Sequence, residues 1–317
     1  MKAAFRSKYG SPNVLSIQEI DKPTPSDDEV LIRVYAASVN RSDYHVLTGK
    51  PFPMRLFTGL FKPKLAVTGS DFAGQVKATG SSVTSFKVGD KVMGFGGGLG
   101  TGTHAQYVTF SATKRIVLIP SNITYEQAAG CLEGAYYAAI GINQLKPTSG
   151  QKALVYGATG AIGSAYVQFF KYFGVYVTAV CGGENSELVR SWGVDKIIDY
   201  KKEDFTNDTE QYDFVIDAVG KSSFAKCKRL LKKNGVYAPS SGFENIFWAL
   251  ITPVLGGKKI LFPKDAKGNM GFIKELVEKG YFKPVIDRIY PLEKIAEAFT
   301  YVATGQKIGN VVITMDE

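Results

Sequence analysis

The chain has 317 residues, 45% hydrophobic and 21% charged, which is ordinary for folded globular protein and long enough for two domains with separate cores. Its net charge of +9 comes from dispersed lysines and arginines, with short patches such as KRLLKK at 228–233 but no stripe or binding-module signature; nucleic acid is therefore excluded as a partner, leaving a favourable field for an anionic cofactor. No stretch approaches the roughly 18 apolar residues of a membrane span, and MKAAFRSKYG has no apolar segment behind its charges, so a cytoplasmic address is expected.

The first 120 residues read as short β runs punctuated by Pro, Gly, Asp and Ser: EVLIRVYAAS, FAGQVKATG, DKVMGFG, HAQYVTF and RIVLIP. Between the first two lies a polar stretch, SVNRSDYHVLTG, which places Asn40, Arg41, Ser42, Asp43, Tyr44 and His45 in a row. Such a row fits a solvated turn, a metal site or the wall of an active site. After Pro120 the pattern changes. SNITYEQAAGCLEGAYYAAIGIN reads as helical, with Ser121 as its capping residue. Strand and helix then alternate through ALVYG, AIGSAYVQFFKYFG, VYVTAV, SELVRSWG, KIIDY, DFVIDAVG, SSFAKCKRLLKKNG and GVYAP. That alternation predicts parallel strands with crossover helices, a doubly wound sheet. Two helical patterns, GNMGFIKELVEKG and LEKIAEAFTYVATG, and a strand, GNVVIT, close the chain.

The strand-to-helix junction in ALVYGATGAIGSAYVQ carries Gly157, Gly160 and Gly163. Glycines there permit a tight turn, let backbone N–H groups approach a pyrophosphate, and let the helix pack close to the strand. Within this alternation they predict a dinucleotide site. The second strand ends at Cys181, followed by Gly182 and Gly183, where an NAD enzyme usually places an acid for the adenosine ribose. That opening admits a 2′-phosphate and favours NADPH, with Arg190, Tyr200, Lys201 and Lys202 as nearby donors. NADH stays open, because Glu184 can reach the ribose or simply begin the next helix.

The three cysteines, Cys131, Cys181 and Cys227, are scattered, and the only histidines are His45 and His104, so no paired metal-ligand spacing exists.

Taken in order, the Asn-x-x-Asp stretch, GSDFAGQVKATGSSVTSFKVGDKVMGF, the Gly-x-x-Gly-x-x-Gly turn and PVIDRIYPLEKIAEAFTYVATGQKIGNVVI resemble the medium-chain dehydrogenase/reductase superfamily, most closely its zinc-free quinone oxidoreductase branch. The resemblance implies an α/β protein: a GroES-like, β-rich catalytic domain of residues 1–122 and 265–317, plus a Rossmann-type domain of residues 123–264. It places nicotinamide and substrate in the cleft between them, and implies a homodimer. Zinc-dependent relatives bind their metal at positions resembling Asn40, Ser70 and Gly130 or Cys131 here; these cannot supply three ligands, so no metal is expected. GFGGGLGTGTHAQYV also lacks the cysteines of a structural zinc lobe and, followed by a strand, is no P-loop.

By the same resemblance Asn40 faces nicotinamide and substrate, with the closing of a strand as its bland alternative. His45 either donates to a substrate oxygen or is an ordinary surface histidine, and Asp43 is a structural acceptor. Tyr136 stands where relatives carry Thr near the nicotinamide. Thr159, Gly160, Ala161, Ile162 and Gly163 are carried over for the pyrophosphate, Cys181, Arg190 and Tyr200 for the adenosine end, and Val219 for packing on adenine. Ser240, Ser241 and Gly242 belong at the nicotinamide edge, and Lys307 and Asn310 at the closing turn. The apolar run IFWALITPVL either covers the cleft, forms a subunit contact or packs in a core.

Without a metal, hydride transfer suits acceptors whose conjugation spreads the developing charge. The expectation is an NADPH-dependent reductase of quinones or α,β-unsaturated carbonyls. A non-catalytic nucleotide-binding or structural protein and an NAD(P)-dependent alcohol dehydrogenase are the alternatives.

Overall fold

The computed structural model describes residues 1–240, 245, 248–249, 251–252, 257–261 and 268–315. Two compact units emerge, one of Met1–Glu133 with Pro284–Glu317 and one of Gly134–Lys283.

In the first unit the apolar runs become β1 (Lys2–Phe5), β2 (Ser16–Glu19), β3 (Glu29–Val39), β4 (Asp71–Thr79), β5 (Lys91–Phe95), β6 (Tyr107–Ser111) and β7 (Ile116–Leu118). β1 and β2 form their own antiparallel pair. β3 is the organising strand: at 11 residues it pairs with β4 and β6 and, along its last four residues, with the strand that ends the chain. Its Val30, Ile32 and Val34 enter a core shared with Phe72, Val92, Leu292 and Phe299.

The polar stretch after β3 is a helix, α1 (Arg41–Thr48), rather than a turn. Asn40 is its extended N-cap residue, Asp43 accepts from the Asn40 backbone N–H at 2.9 Å, and Gly49 at φ 62° stops it in the left-handed region. A short α2 follows (Arg55–Thr58). The next helix begins later than expected. Its cap is Thr124, not Ser121: Thr124 Oγ1 accepts from the Gln127 backbone N–H at 3.3 Å, and Gln127 Oε1 accepts from the Thr124 N–H at 3.0 Å. The reciprocal pair satisfies two otherwise orphaned donors, and Ser121 has no glutamate or glutamine three residues on to do the same. This helix, α3 (Tyr125–Gly130), is separated from α4 (Glu133–Leu145).

In the second unit, β8 (Lys152–Tyr156), α5 (Ala161–Tyr172), β9 (Tyr176–Cys181), α6 (Ser186–Arg190), β10 (Lys196–Asp199) and β11 (Tyr212–Asp217) follow the predicted alternation. The helix expected over SSFAKCKRLLKKNG is cut short. α7 covers only Phe224–Cys227, and β12 takes Leu231–Pro239. Leu231 is fully buried and pairs with Tyr212 across the sheet, so its apolar side chain is satisfied in a strand. With β13 (Lys259–Ile260) the sheet runs β10-β9-β8-β11-β12-β13, all parallel. This is the doubly wound order in which the first strand and its helix carry the phosphate turn. Trp248 and Ala249 pack against this core; the remainder of IFWALITPVL, apart from Ile251 and Thr252, lies outside the described residues.

α8 (Asn269–Glu278) completes the second unit. The chain then supplies β14 (Ile286–Pro291), α9 (Ile295–Ala303) and β15 (Asn310–Thr314) to the first. β15 lies antiparallel to the end of β3, with Val311 opposite Val39, which is how the C-terminus becomes part of the first unit.

Candidate active site

Asn40 sits where β3 gives way to α1, and it is only 3% exposed. Its Nδ2 donates to Ser38 Oγ and, at 3.3 Å, to Asp71 Oδ2. Asp71, at the start of β4, also accepts from the Ser38 backbone N–H at 2.7 Å and from the Ser38 hydroxyl. A second carboxylate, Asp43, is buried through its bond to the Asn40 N–H. A third comes from the first residue of α4: Glu133 accepts from Ser42 Oγ at 2.6 and 2.7 Å through its two oxygens, and from Ser70 Oγ at 3.2 Å.

Three carboxyl groups in one buried cluster cannot all stay ionised as they would in water. Burial pushes Asp71 up to about 7, against the opposing bonds from Ser38. Burial, then Glu133 and Asp71, raise Asp43 well above the usual carboxylate range. Glu133 is raised by burial despite Ser42, Ser70 and the charge of Lys307. Lys307 is pushed down to about 8 by burial, opposed chiefly by Glu133, and its Nζ donates to the Gly309 carbonyl. Around neutral pH the cluster therefore holds protons that an exposed set of carboxylates would have lost.

His104 braces the strand end from below. It is fully buried, with Nε2 3.0 Å from the Ser38 carbonyl and Nδ1 2.8 Å from Thr68 Oγ1. A carbonyl only accepts, so Nε2 carries the hydrogen and Nδ1 accepts from the threonine. Burial holds this imidazole neutral, down to about 4. His45, on α1, is half-buried, and burial and then Arg41 lower its pKa. Asn310 directs its Nδ2 to the Gly130 and Val285 carbonyls, both at 3.0 Å, and thereby fixes the start of β15.

The donor set fits zinc poorly. Asn40 offers an amide, Ser70 a hydroxyl, and Cys131 a thiol that burial drives far above its ordinary value. Zinc takes thiolate, imidazole or carboxylate, and among the described residues no group of three His, Cys, Asp or Glu is arranged to hold a metal.

In the second unit, the turn between β8 and α5 has the features that a dinucleotide requires. Gly157 has φ +80°, and a Cβ there would lie 2.2 Å from Val219 Cγ2. A Cβ on Gly163 would lie 2.0 Å from the Gly157 carbonyl oxygen, so only glycine allows α5 this close to β8. Gly160 is different: its φ is −73° and a Cβ there would make only an ordinary contact, 3.5 Å from the Gly157 carbonyl oxygen. Its own N–H donates to Gly157 O at 3.0 Å. Of the five pyrophosphate residues, Thr159, Ala161, Ile162 and Gly163 keep N–H groups with no intrahelical acceptor, the usual anion-binding arrangement. A cradle of this kind fits a cofactor pyrophosphate.

At the end of β9, Cys181 is buried and burial pushes its thiol up to about 11. The opening expected at Gly182 and Gly183 is not there: Gly182 is buried and Gly183 half-buried, and a Cβ on either would meet a carboxylate, Glu184 at 2.6 Å or Asp199 at 2.4 Å, while a Glu184–Lys201 ion pair of 2.7 Å faces outward with both side chains 55% exposed. Lys202, 82% exposed, and the half-exposed Tyr200 border an open hollow of about 390 Å³ that Tyr156 and Phe205 also line. Arg190 is exposed at the end of α6. Val219, 41% exposed, stands on a loop organised by the buried Asp217, which accepts from the N–H groups of Val219, Gly220 and Ser222 at 3.1, 2.7 and 2.8 Å. Ser240 is exposed and donates its N–H to the Asp217 carbonyl, whereas Ser241 and Gly242 lie outside the described residues. Tyr136, on α4, is 3% exposed.

Sequence reasoning missed Glu133. No signal marked it, since a glutamate in the first turn of a helix is the ordinary complement to the helix dipole. Its partners Ser42 and Ser70 are 91 and 63 residues away, and no local pattern links them.

Comparison with known proteins gives a consistent picture. Residues 26–121 match the alcohol dehydrogenase GroES-like domain and residues 192–313 the family described as zinc-binding dehydrogenase. The chain is 33% identical over 327 residues to 2-methylene-furan-3-one reductase of Solanum lycopersicum, covering 99% of this chain and 79% of that protein. The same identity and coverage hold for NADPH-dependent alkenal/one oxidoreductase, chloroplastic, of Arabidopsis thaliana. Among solved structures, the quinone oxidoreductase from Coxiella burnetii superposes with a TM-score of 0.89 at 25% identity, covering 100% of this chain and 99% of that one.

Proposed function

This chain belongs to the medium-chain dehydrogenase/reductase superfamily, and from that premise we propose that it is an NADPH-dependent oxidoreductase that reduces quinones or α,β-unsaturated carbonyls without zinc. The observation that carries the reading is the substitution at the β3 end: an amide bonded to Ser38 and Asp71 occupies the position where a zinc enzyme begins its metal site. NADPH, when bound, supplies the hydride.

The chain's own residues do the rest. Thr159, Ala161, Ile162 and Gly163 present the backbone donors for a pyrophosphate, and at the adenosine end the carboxylates of Glu184 and Asp199 stand beside Gly182 and Gly183. Lys201 and Lys202 supply cations for a 2′-phosphate, with Glu184 as the competing partner of Lys201. Reduction of a conjugated carbonyl also consumes a proton. The Asp43–Asp71–Glu133 cluster keeps protons at neutral pH, and the half-buried Ser42 hydroxyl on Glu133 is the group through which one would leave it. The protein is proposed to act as a cytoplasmic homodimer, which sedimentation equilibrium and cell fractionation test.

NADPH and NADH oxidation followed against a panel of quinones, 2-alkenals and enones tests the activity, with Asn40→Ala beside the parent. The expected result is turnover with NADPH that the variant loses by about 10-fold or more. Tight NADPH binding with no turnover on any acceptor would make this a nucleotide-binding protein. Activity that requires stoichiometric zinc would make it an alcohol dehydrogenase.

A further inference from the structure

Fourteen large apolar side chains are exposed among the described residues, and six of them, Phe52, Leu56, Phe57, Leu60, Phe61 and Leu65, fall within one stretch of the first unit. Phe61 is 90% exposed, Phe57 66% and Leu56 64%. Scattered apolar residues on a surface need no explanation, but a concentration of this kind marks an interaction site.

The stretch is held firmly from beneath. Tyr9 donates its hydroxyl to Gly59 O at 2.6 Å and lies 2.8 Å from Thr58 Oγ1. The Arg55 guanidinium stacks 4.5 Å from the Tyr9 ring centroid, and the Lys64 N–H donates to Thr58 O at 2.8 Å. The backbone is tied to its unit while the apolar side chains point away from it.

The charge along this stretch has one sign. From Tyr44 to Ser70 the sequence carries Lys50, Arg55, Lys62 and Lys64 and no Asp or Glu. The acids that bracket the stretch, Asp43 and Asp71, are buried. Lys50, Lys62 and Lys64 are exposed. A second copy of this chain is a poor occupant, because a two-fold contact would set these cations against themselves. Exposed apolar side chains interspersed with exposed lysines match the boundary layer of an anionic bilayer, where the rings enter the acyl region and the ammonium groups meet the headgroups. No helix among the described residues is long and apolar enough to cross a membrane, and the contact argued from this patch is a peripheral one.

We propose that residues 52–65, with Lys50, Lys62 and Lys64, dock this protein on anionic lipid surfaces. The inference is independent of the substrate assigned above.

The test is co-sedimentation of the full chain with vesicles of phosphatidylcholine alone and of equimolar phosphatidylcholine and phosphatidylglycerol. The parent should partition onto the anionic vesicles and not the neutral ones. Each basic residue near such a surface is worth about fivefold in partition, so Lys62→Ala/Lys64→Ala should bind about 25-fold more weakly, and added salt should do the same to the parent. Phe57→Ser/Phe61→Ser should weaken binding by at least about tenfold. Both variants change exposed side chains, and unchanged NADPH binding and thermal melting would show that each is folded. No binding by the parent, or equal binding to both vesicle types, would overturn the proposal. So would a parent dimer that Phe57→Ser/Phe61→Ser converts to monomer, which would make the patch a contact between copies.

Discussion

Replacing Asp71 with asparagine should change the pH dependence of stability in a direction fixed by the raised carboxyl that it removes. Asp71 has its carboxyl pushed from an ordinary 3.8 to about 7, chiefly by burial. The folded state thus binds a proton that the unfolded state has released, and stability falls as pH rises from about 4 to about 7. At about 1.36 kcal/mol per pH unit, the full effect is about 4 kcal/mol. His104 is held neutral, down to about 4 from an ordinary 6.5. Its contribution is present above about 6.5 and lost as pH falls toward 4, which is about 3 kcal/mol in the opposite sense. Across about pH 4.5–6.5 these two oppose each other, while the raised carboxyls of Asp43 and Glu133 act in the same sense as Asp71. Asp71→Asn removes the first and leaves the others, so across that window the variant's stability should rise with pH relative to the parent's, by about 3 kcal/mol at most. Urea unfolding at intervals of half a pH unit measures the slope for both proteins. The absolute stability of the variant is immaterial, since the substitution also rearranges the bonds to Ser38 and Asn40; what matters is the difference in slope. Parallel curves for parent and variant would refute the claim that Asp71 keeps its proton near neutrality.

Three further outcomes follow from the same geometry. Gly160→Ala meets nothing closer than 3.5 Å, so it should melt like the parent yet weaken NADPH binding, whereas Gly163→Ala would press on the Gly157 carbonyl at 2.0 Å and should lose about 1–3 kcal/mol in urea unfolding. Lys201→Ala should raise the Kd for NADPH by about 10-fold and leave NADH unchanged, while Glu184→Gln, which frees Lys201, should shift preference toward NADPH; titration by fluorescence reads both. Glu133→Gln should lower kcat by about 100-fold with NADPH binding unaffected, and should remove a limb from the kcat–pH profile as the raised carboxyl leaves the cluster.

Much of the architecture was written locally. The strands of the first unit, the alternation of the second and the glycine turn at 157–163 depend on side-chain period, turn residues and the absence of a Cβ, all of which act over a few residues and are legible in order. Errors arose where a local preference met a distant partner. Leu231 reads as helical with its neighbours but is drawn into β12 by its place opposite Tyr212, and Ser121 looked like a cap until Gln127 reached back to Thr124.

The site divides in the same way. The sequence alone determined that position 40 holds an amide rather than a metal ligand, that three glycines shape the turn before α5, and that no carboxylate lies between Tyr44 and Ser70. Only the tertiary structure decided that Asn40 caps a helix and bonds Asp71, that Glu133 joins Ser42 and Ser70, and that His104 lies beneath Ser38. It also decided that six apolar side chains near Phe61 stay outside the core. The physical reason is desolvation. A carboxyl or imidazole takes its proton affinity from the dielectric and the partners around it, and those are assembled by strands and helices far apart in the chain.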